Sequence, residues 1–138
     1  MHATRTFWVI AILASLWNAI GVINYLMQVT MSDSTLQALT PEMQAYFEQV
    51  PHWVTSAYAL AVWSGFGGSL ALCLRRGIAS TLFSLSLAGV IVQLFYNIVM
   101  QTALPLSPAL LAGPAIILII AIALLLASRK WAAAGVLR

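Results

Sequence analysis

Charge is scarce in this sequence. Asp, Glu, Lys and Arg make up 7% of its 138 residues, against 62% hydrophobic. Soluble domains carry about 25% charged residues, so a water-exposed globular surface is excluded and a bilayer is the matching solvent. Cysteine is nearly absent too. With Cys73 alone, no intrachain disulfide forms and a dithiol relay lacks its second thiol. The residue reads as packing material near a helix end. Histidine is limited to His2 and His52, which fall on opposite sides of the predicted membrane, so a two-histidine haem site is excluded.

What the sequence does have is long apolar runs. Four are long enough to span a bilayer, which takes roughly 20 residues. They cover approximately Thr6 to Met31, His52 to Leu74, Ile78 to Thr102, and Ala109 to Ser128. Connections are short except for the 32–51 loop. The expected fold is all-α: one polytopic domain over 1–138, a four-helix transmembrane bundle with a short outer interfacial helix. The first run continues through "AIGVINYLM", too far for the h-region of a signal peptide, so it reads as an uncleaved helix.

The few charges are sorted. Arg5, Arg75, Arg76, Arg129, Lys130 and Arg138 all fall on one side of the spans, and Asp33, Glu42 and Glu48 on the other. The positive-inside rule predicts a bacterial inner-membrane protein with both termini cytoplasmic. The net charge of +3 is then a topology signal, and no nucleic-acid partner is expected.

In the outer loop, "STLQ" at Ser34 to Gln37 fits a capping box, and Thr40-Pro41 fits an N-cap followed by a first-turn proline. Met43, Tyr46, Phe47 and Val50 then recur at helical spacing, predicting an interfacial helix that Pro51 closes. Ala57, Ala61, Ser64, Gly68 and Ala71 form a stripe of small residues on the second span, suited to close helix packing. Ser107-Pro108 opens the last span, whose "AIILIIAIALLLA" offers nothing polar and reads as wall.

Polar chemistry concentrates in amides. The frame Asn-x-x-Met-Gln occurs twice, as "NYLMQ" at Asn24 to Gln28 and "NIVMQ" at Asn97 to Gln101. Trp17, Gly21, Asn24 and Gln28 share a face of the first span, with Asn18 and Tyr25 at its edge. Ser86, Gly89, Gln93, Asn97, Met100 and Gln101 share a face of the third. An amide facing hydrocarbon leaves its donors and acceptors unpaired, so these faces are expected to turn inward. The repeated frame hints at a duplicated two-helix unit.

The candidate ligand-binding set is therefore Asn18, Asn24, Gln28, Gln93, Asn97 and Gln101, joined by Tyr25, Tyr96, Trp17, Trp63 and His52. Uncharged amides beside aromatic rings suit a neutral polar molecule: a sugar, a quinone head or a lipid headgroup. The bland alternative is interhelical glue, at about 1 kcal/mol or less per bond. A Cu(I) site at His52 with Met27, Met31 and Met100 lacks a cysteine or carboxylate partner, and no metal or cofactor is expected.

Proton-driven transport draws on an intramembrane ionisable residue. The spans have none, which argues against small multidrug exporters. No nucleophile–base pair or carboxylate pair appears, so an enzyme is not expected. Passing a solute would take a homo-oligomer; the competing role is a non-enzymatic accessory subunit of a larger membrane complex.

The stretches "LWNAIGVINYLMQVT", "TPEMQAYFEQVPHWV" and "GGSLALCLRR" resemble a group of small four-helix bacterial inner-membrane proteins, some of them labelled sugar transporters. The resemblance runs through the third span. It implies the same fold and membrane, and carries no site residues.

Overall fold

The computed structural model describes residues 3–138, without the Leu110 side chain; His2 lies outside the described residues. Among the described residues the regular structure is all helical. The elements are α1 (Arg5–Val29), α2 (Asp33–Gln37), α3 (Pro41–Gln49), α4 (His52–Cys73), α5 (Ile78–Phe95) and α6 (Pro108–Ala133). A π-helical turn, Tyr96–Met100, continues α5. Four helices, α1, α4, α5 with its π turn, and α6, are long and apolar enough to cross a membrane. The fold is an all-α four-helix bundle, compatible with an integral membrane protein.

Helix starts follow local chemistry. Thr4 caps α1 by accepting the Phe7 N–H at 3.1 Å. Thr40 caps α3 through the Met43 N–H, with Pro41 in the first turn. For α2 the cap is Ser32 rather than Ser34: its hydroxyl accepts the Thr35 N–H, and Asp33 then occupies the first turn, where the helix dipole favours an anion. Ends differ more from expectation. α1 stops at Val29, where Thr30 folds its hydroxyl back onto the Leu26 carbonyl. α6 runs past Ser128 to Ala133 and takes Arg129 and Lys130 into its last turns. Cations are favourable at a helix C-terminus, and their long stems reach past the apolar zone.

α4 is the central stave. It packs against α1 and α5, and α5 packs against α6. Half of α4's apolar window is buried, against 17% for α1 and 17% for α6. The small-residue stripe makes this possible: Ala57, Ala61, Ser64, Gly68 and Ala71 are all buried. The closest approach is at Gly89 of α5. A Cβ there would lie 2.5 Å from the Ala57 carbonyl oxygen and 2.8 Å from the Ala61 nitrogen. Next to it, the Ser86 hydroxyl donates to the Ala61 carbonyl at 2.7 Å. The outward faces, with Ile12, Leu13, Leu16, Ile119 and Leu126 each more than half exposed, are the apolar surface that a bilayer would solvate.

The basic end of the bundle is closed. Phe7 and Ala11 of α1, Leu72 of α4, Phe83 of α5 and Leu124 of α6 form one buried cluster. Phe7 meets Trp131 edge to face at 4.8 Å, bringing α1 to α6 there. The segment after α6 folds back beneath: Val136 and Leu137 are buried in the same cluster. The Arg138 N–H donates to the Arg75 carbonyl at 2.8 Å, and the Gly77 N–H donates to the Arg138 carbonyl at 2.7 Å. The Arg75 guanidinium also donates to the Val136 carbonyl. Arg75 turns the chain with φ +55°, a left-handed backbone that this strap holds in place. Away from this end α1 and α6 are not closely packed, and the bundle opens between them.

Candidate ligand-binding cavity

A cavity of about 160 Å³ occupies the opened part of the bundle. Trp17, Asn18, Ile20, Gly21 and Asn24 line it from α1, and Tyr58, Ala61 and Val62 from α4. From α5 come Phe83, Ser86, Val90 and Gln93, and from α6 Ile117, Ile120, Ala121 and Leu124. All four long helices contribute. The α6 wall is wholly apolar, as its sequence implied.

The polar groups fall into two kinds. The first kind has its donors spent within the protein. The Asn18 amide donates to the Ala14 carbonyl at 2.8 Å and to the Ser69 hydroxyl at 2.9 Å. The Ser69 hydroxyl in turn donates a hydrogen bond to the Gly65 carbonyl at 2.9 Å. Asn18 sits over Gly65, where a Cβ would collide with its side-chain oxygen. Ser86 is committed to Ala61. Asn24 and Gln93 are the second kind. Both line the cavity, neither is hydrogen-bonded to another described residue, and neither is sealed from accessible space. Their amides offer donors and acceptors to whatever enters.

The other sequence-selected residues lie elsewhere. Tyr25 stands edge-on to Tyr58, with ring centroids 5.3 Å apart, beside the cavity rather than in its lining. Gln28 and His52 line a second cavity of about 380 Å³, away from the basic end, with Met31, Phe47 and Thr55. Gln28 follows Asn24 by one helical turn and Thr55 precedes Tyr58 by one. The two cavities therefore stack along the α1–α4 groove, about 6 Å apart in helix rise. Trp63 is nearly half exposed and lines neither. Among the described residues no group of three metal-ligating side chains exists.

The two copies of the repeated frame do different work. Asn24 faces the cavity, whereas Asn97 accepts the Tyr46 hydroxyl at 2.6 Å and so pins α3 to the end of α5. Tyr96 is buried beneath, with Tyr46 at 6.3 Å and Trp53 edge-on at 6.0 Å. Gln101 is taken by the loop, donating to the Leu104 carbonyl and accepting the Leu104 N–H. The π turn explains the departure. The Gln101 N–H reaches back to the Tyr96 carbonyl, five residues away. That wider turn breaks the regular projection from Gln93 onward.

Burial holds the Tyr46 phenol above the usual tyrosine range; the neighbouring Tyr96 adds to this and the bond to Asn97 opposes it. Sequence reasoning missed Tyr58 in the cavity and Tyr46 in the latch, along with apolar lining such as Phe83, Ile20 and Ile117. Tyr58 carried a signal: it lies three residues before Ala61 on the packed side of α4. Tyr46 carried only its place on the apolar face of α3, which says nothing about its hydroxyl.

Comparison with protein-family models, curated proteins and solved structures finds no match to this chain.

Proposed function

We propose that this protein binds a small neutral polar molecule within the bilayer, in the cavity between α1, α4, α5 and α6. One observation carries the reading: two amides, Asn24 and Gln93, face that cavity with no protein partner. An unpartnered amide at membrane depth costs free energy, and a bound molecule or trapped water recovers it. Amides serving only as glue would be paired, as Asn18, Asn97 and Gln101 are. With neutral donors and acceptors alone, the site discriminates by shape and hydrogen-bond pattern rather than by charge.

The same three paired amides favour a structural share of the work, as an accessory subunit, for that part of the polar set. The orientation that suits the charges puts both termini in the cytoplasm and α3 on the outer face of a bacterial inner membrane.

Native mass spectrometry of the full chain, released gently from its own membrane, tests this. A small-molecule adduct is expected on the wild type, lost in the Asn24→Leu, Gln93→Leu double variant and kept in Asn97→Leu. An adduct that survives the double variant, or a wild type that never carries one, overturns the reading.

A further inference from the structure

We infer that the ligand is a single six-membered ring bearing a hydrogen-bonding oxygen and an apolar tail, and that it enters sideways from the bilayer. The inference rests on the cavity being a ligand site, and size is its first support. About 160 Å³ is close to the roughly 150 Å³ of an engineered protein cavity that takes benzene. One ring fits; a ring with many substituents does not.

The lining gives the second support. Trp17, Tyr58 and Phe83 bring three aromatic side chains to one small cavity, and such rings favour another ring in stacked or edge-on contact. Polar supply is limited: beside the uncommitted amides of Asn24 and Gln93, the lining adds only the Tyr58 hydroxyl, the Trp17 indole N–H and the Asn18 side-chain carbonyl oxygen. A hexose would bury several hydroxyls against the apolar α6 wall, each unpaired one costing free energy. A ring with one or two oxygens meets these groups on one edge and leaves its remaining edge to the apolar α6 wall.

Entry is the third. The cavity opens where α1 and α6 part company. At that gap Ile20 is 55% exposed and Ile117 43% exposed, and both also line the cavity. A molecule dissolved in the bilayer meets a mainly apolar mouth, with Asn24 exposed at its edge and Gln93 deeper. Such a mouth also leaves an exit for a tail, so the tail need not fit inside the cavity. The route from the second cavity, by contrast, passes the packed Tyr25–Tyr58 pair.

The test uses the full chain in lipid nanodiscs, with adducts counted by native mass spectrometry. Probes are 4-ethylphenol, 4-octylphenol and ethylbenzene, each dosed to the same mole fraction of the lipid, and glucose in the buffer. Both phenols should bind saturably and displace any native adduct. The octyl compound should bind at least as well as the ethyl one, because its tail stays in lipid. Ethylbenzene should bind about tenfold more weakly, the worth of one hydrogen bond. Gln93→Leu, and independently Asn24→Leu, should shrink the phenol advantage.

Exclusion of the octyl compound would overturn lateral entry, and equal binding of ethylbenzene would overturn the polar-ring assignment. Glucose displacing a native adduct that phenols leave untouched sinks this inference while the cavity reading stands. Absence of any adduct, native or added, removes the cavity reading and this inference together.

Discussion

Gly89→Ala is the sharpest probe of how the bundle is held. The new methyl would lie 2.5 Å from the Ala57 carbonyl oxygen, 2.8 Å from the Ala61 nitrogen and 3.0 Å from the Ala61 Cβ. Two of these are backbone atoms of α4 and cannot swing aside, so α5 must withdraw. Reaching ordinary contact at 3.4 Å takes about 0.9 Å. The Ser86–Ala61 bond, 2.7 Å long, would then stretch to about 3.6 Å, beyond hydrogen-bond range. Overpacking costs about 1–3 kcal/mol and the lost interhelical bond about 0.6 kcal/mol. Helix propensity returns up to about 1 kcal/mol at this interior position, so the net prediction is a loss of about 1–3 kcal/mol.

The assay is SDS-driven unfolding of the purified chain in mixed micelles, followed by far-UV circular dichroism. Ser86→Ala isolates the hydrogen bond and should cost under about 1 kcal/mol. Gly113→Ala is the control: nothing lies within 4 Å of its added methyl, so helix propensity alone should stabilise by up to about 1 kcal/mol. A Gly89→Ala protein that unfolds at or above the wild-type midpoint would refute the close approach of α4 and α5.

Three further outcomes are expected. Leu137→Ala should cost about 2–5 kcal/mol in the same assay, because this residue is buried in the basic-end cluster; a neutral result would mean the strap contributes no packing. Tyr46→Phe deletes the bond to Asn97 and should raise deuterium exchange across α3 while leaving α4 and α5 protected; unchanged α3 protection would show that the latch is inert. Because the Tyr46 phenol sits above its ordinary value of 10.0 when folded, the undocked state ionises first as pH rises. Docking is therefore unaffected below about pH 10 and weakens above it, so wild-type α3 exchange should climb there more steeply than in Tyr46→Phe.

Composition and hydropathy made the four spans, the Thr40-capped surface helix and the buried stripe on α4 legible, because bilayer length and backbone capping are local constraints. The amide cluster was legible only as a set of residue types. Its partition into paired and unpaired members depends on partners distant in sequence: Ser69 for Asn18, Tyr46 for Asn97. The third-span face failed beyond Gln93 because one π turn displaced it, and a single wide turn leaves no periodic mark. The first-span face does not turn fully inward: α1 turns mainly Phe7, Ala11, Ala14 and Val22 toward its neighbours, and Trp17 and Asn24 stay exposed. Both are left at the edge, over the gap to α6, and that position is what makes them cavity-lining rather than core.

The Gly89 contact also decides which parts of the bundle are free to move. With backbone pressed on backbone, α4 and α5 have no slack to slide or tilt, so they act as the fixed frame of the bundle. Among the described residues α1 and α6 meet around the basic-end cluster, with Phe7 edge-on to Trp131, and have little close packing beyond it, like the jaws of a clothes-peg. Any change in cavity volume must then come from those two helices pivoting about the basic end. Spin labels on Ile20 and Ile117 would report the motion, and a pair placed across α4 and α5 would stay still.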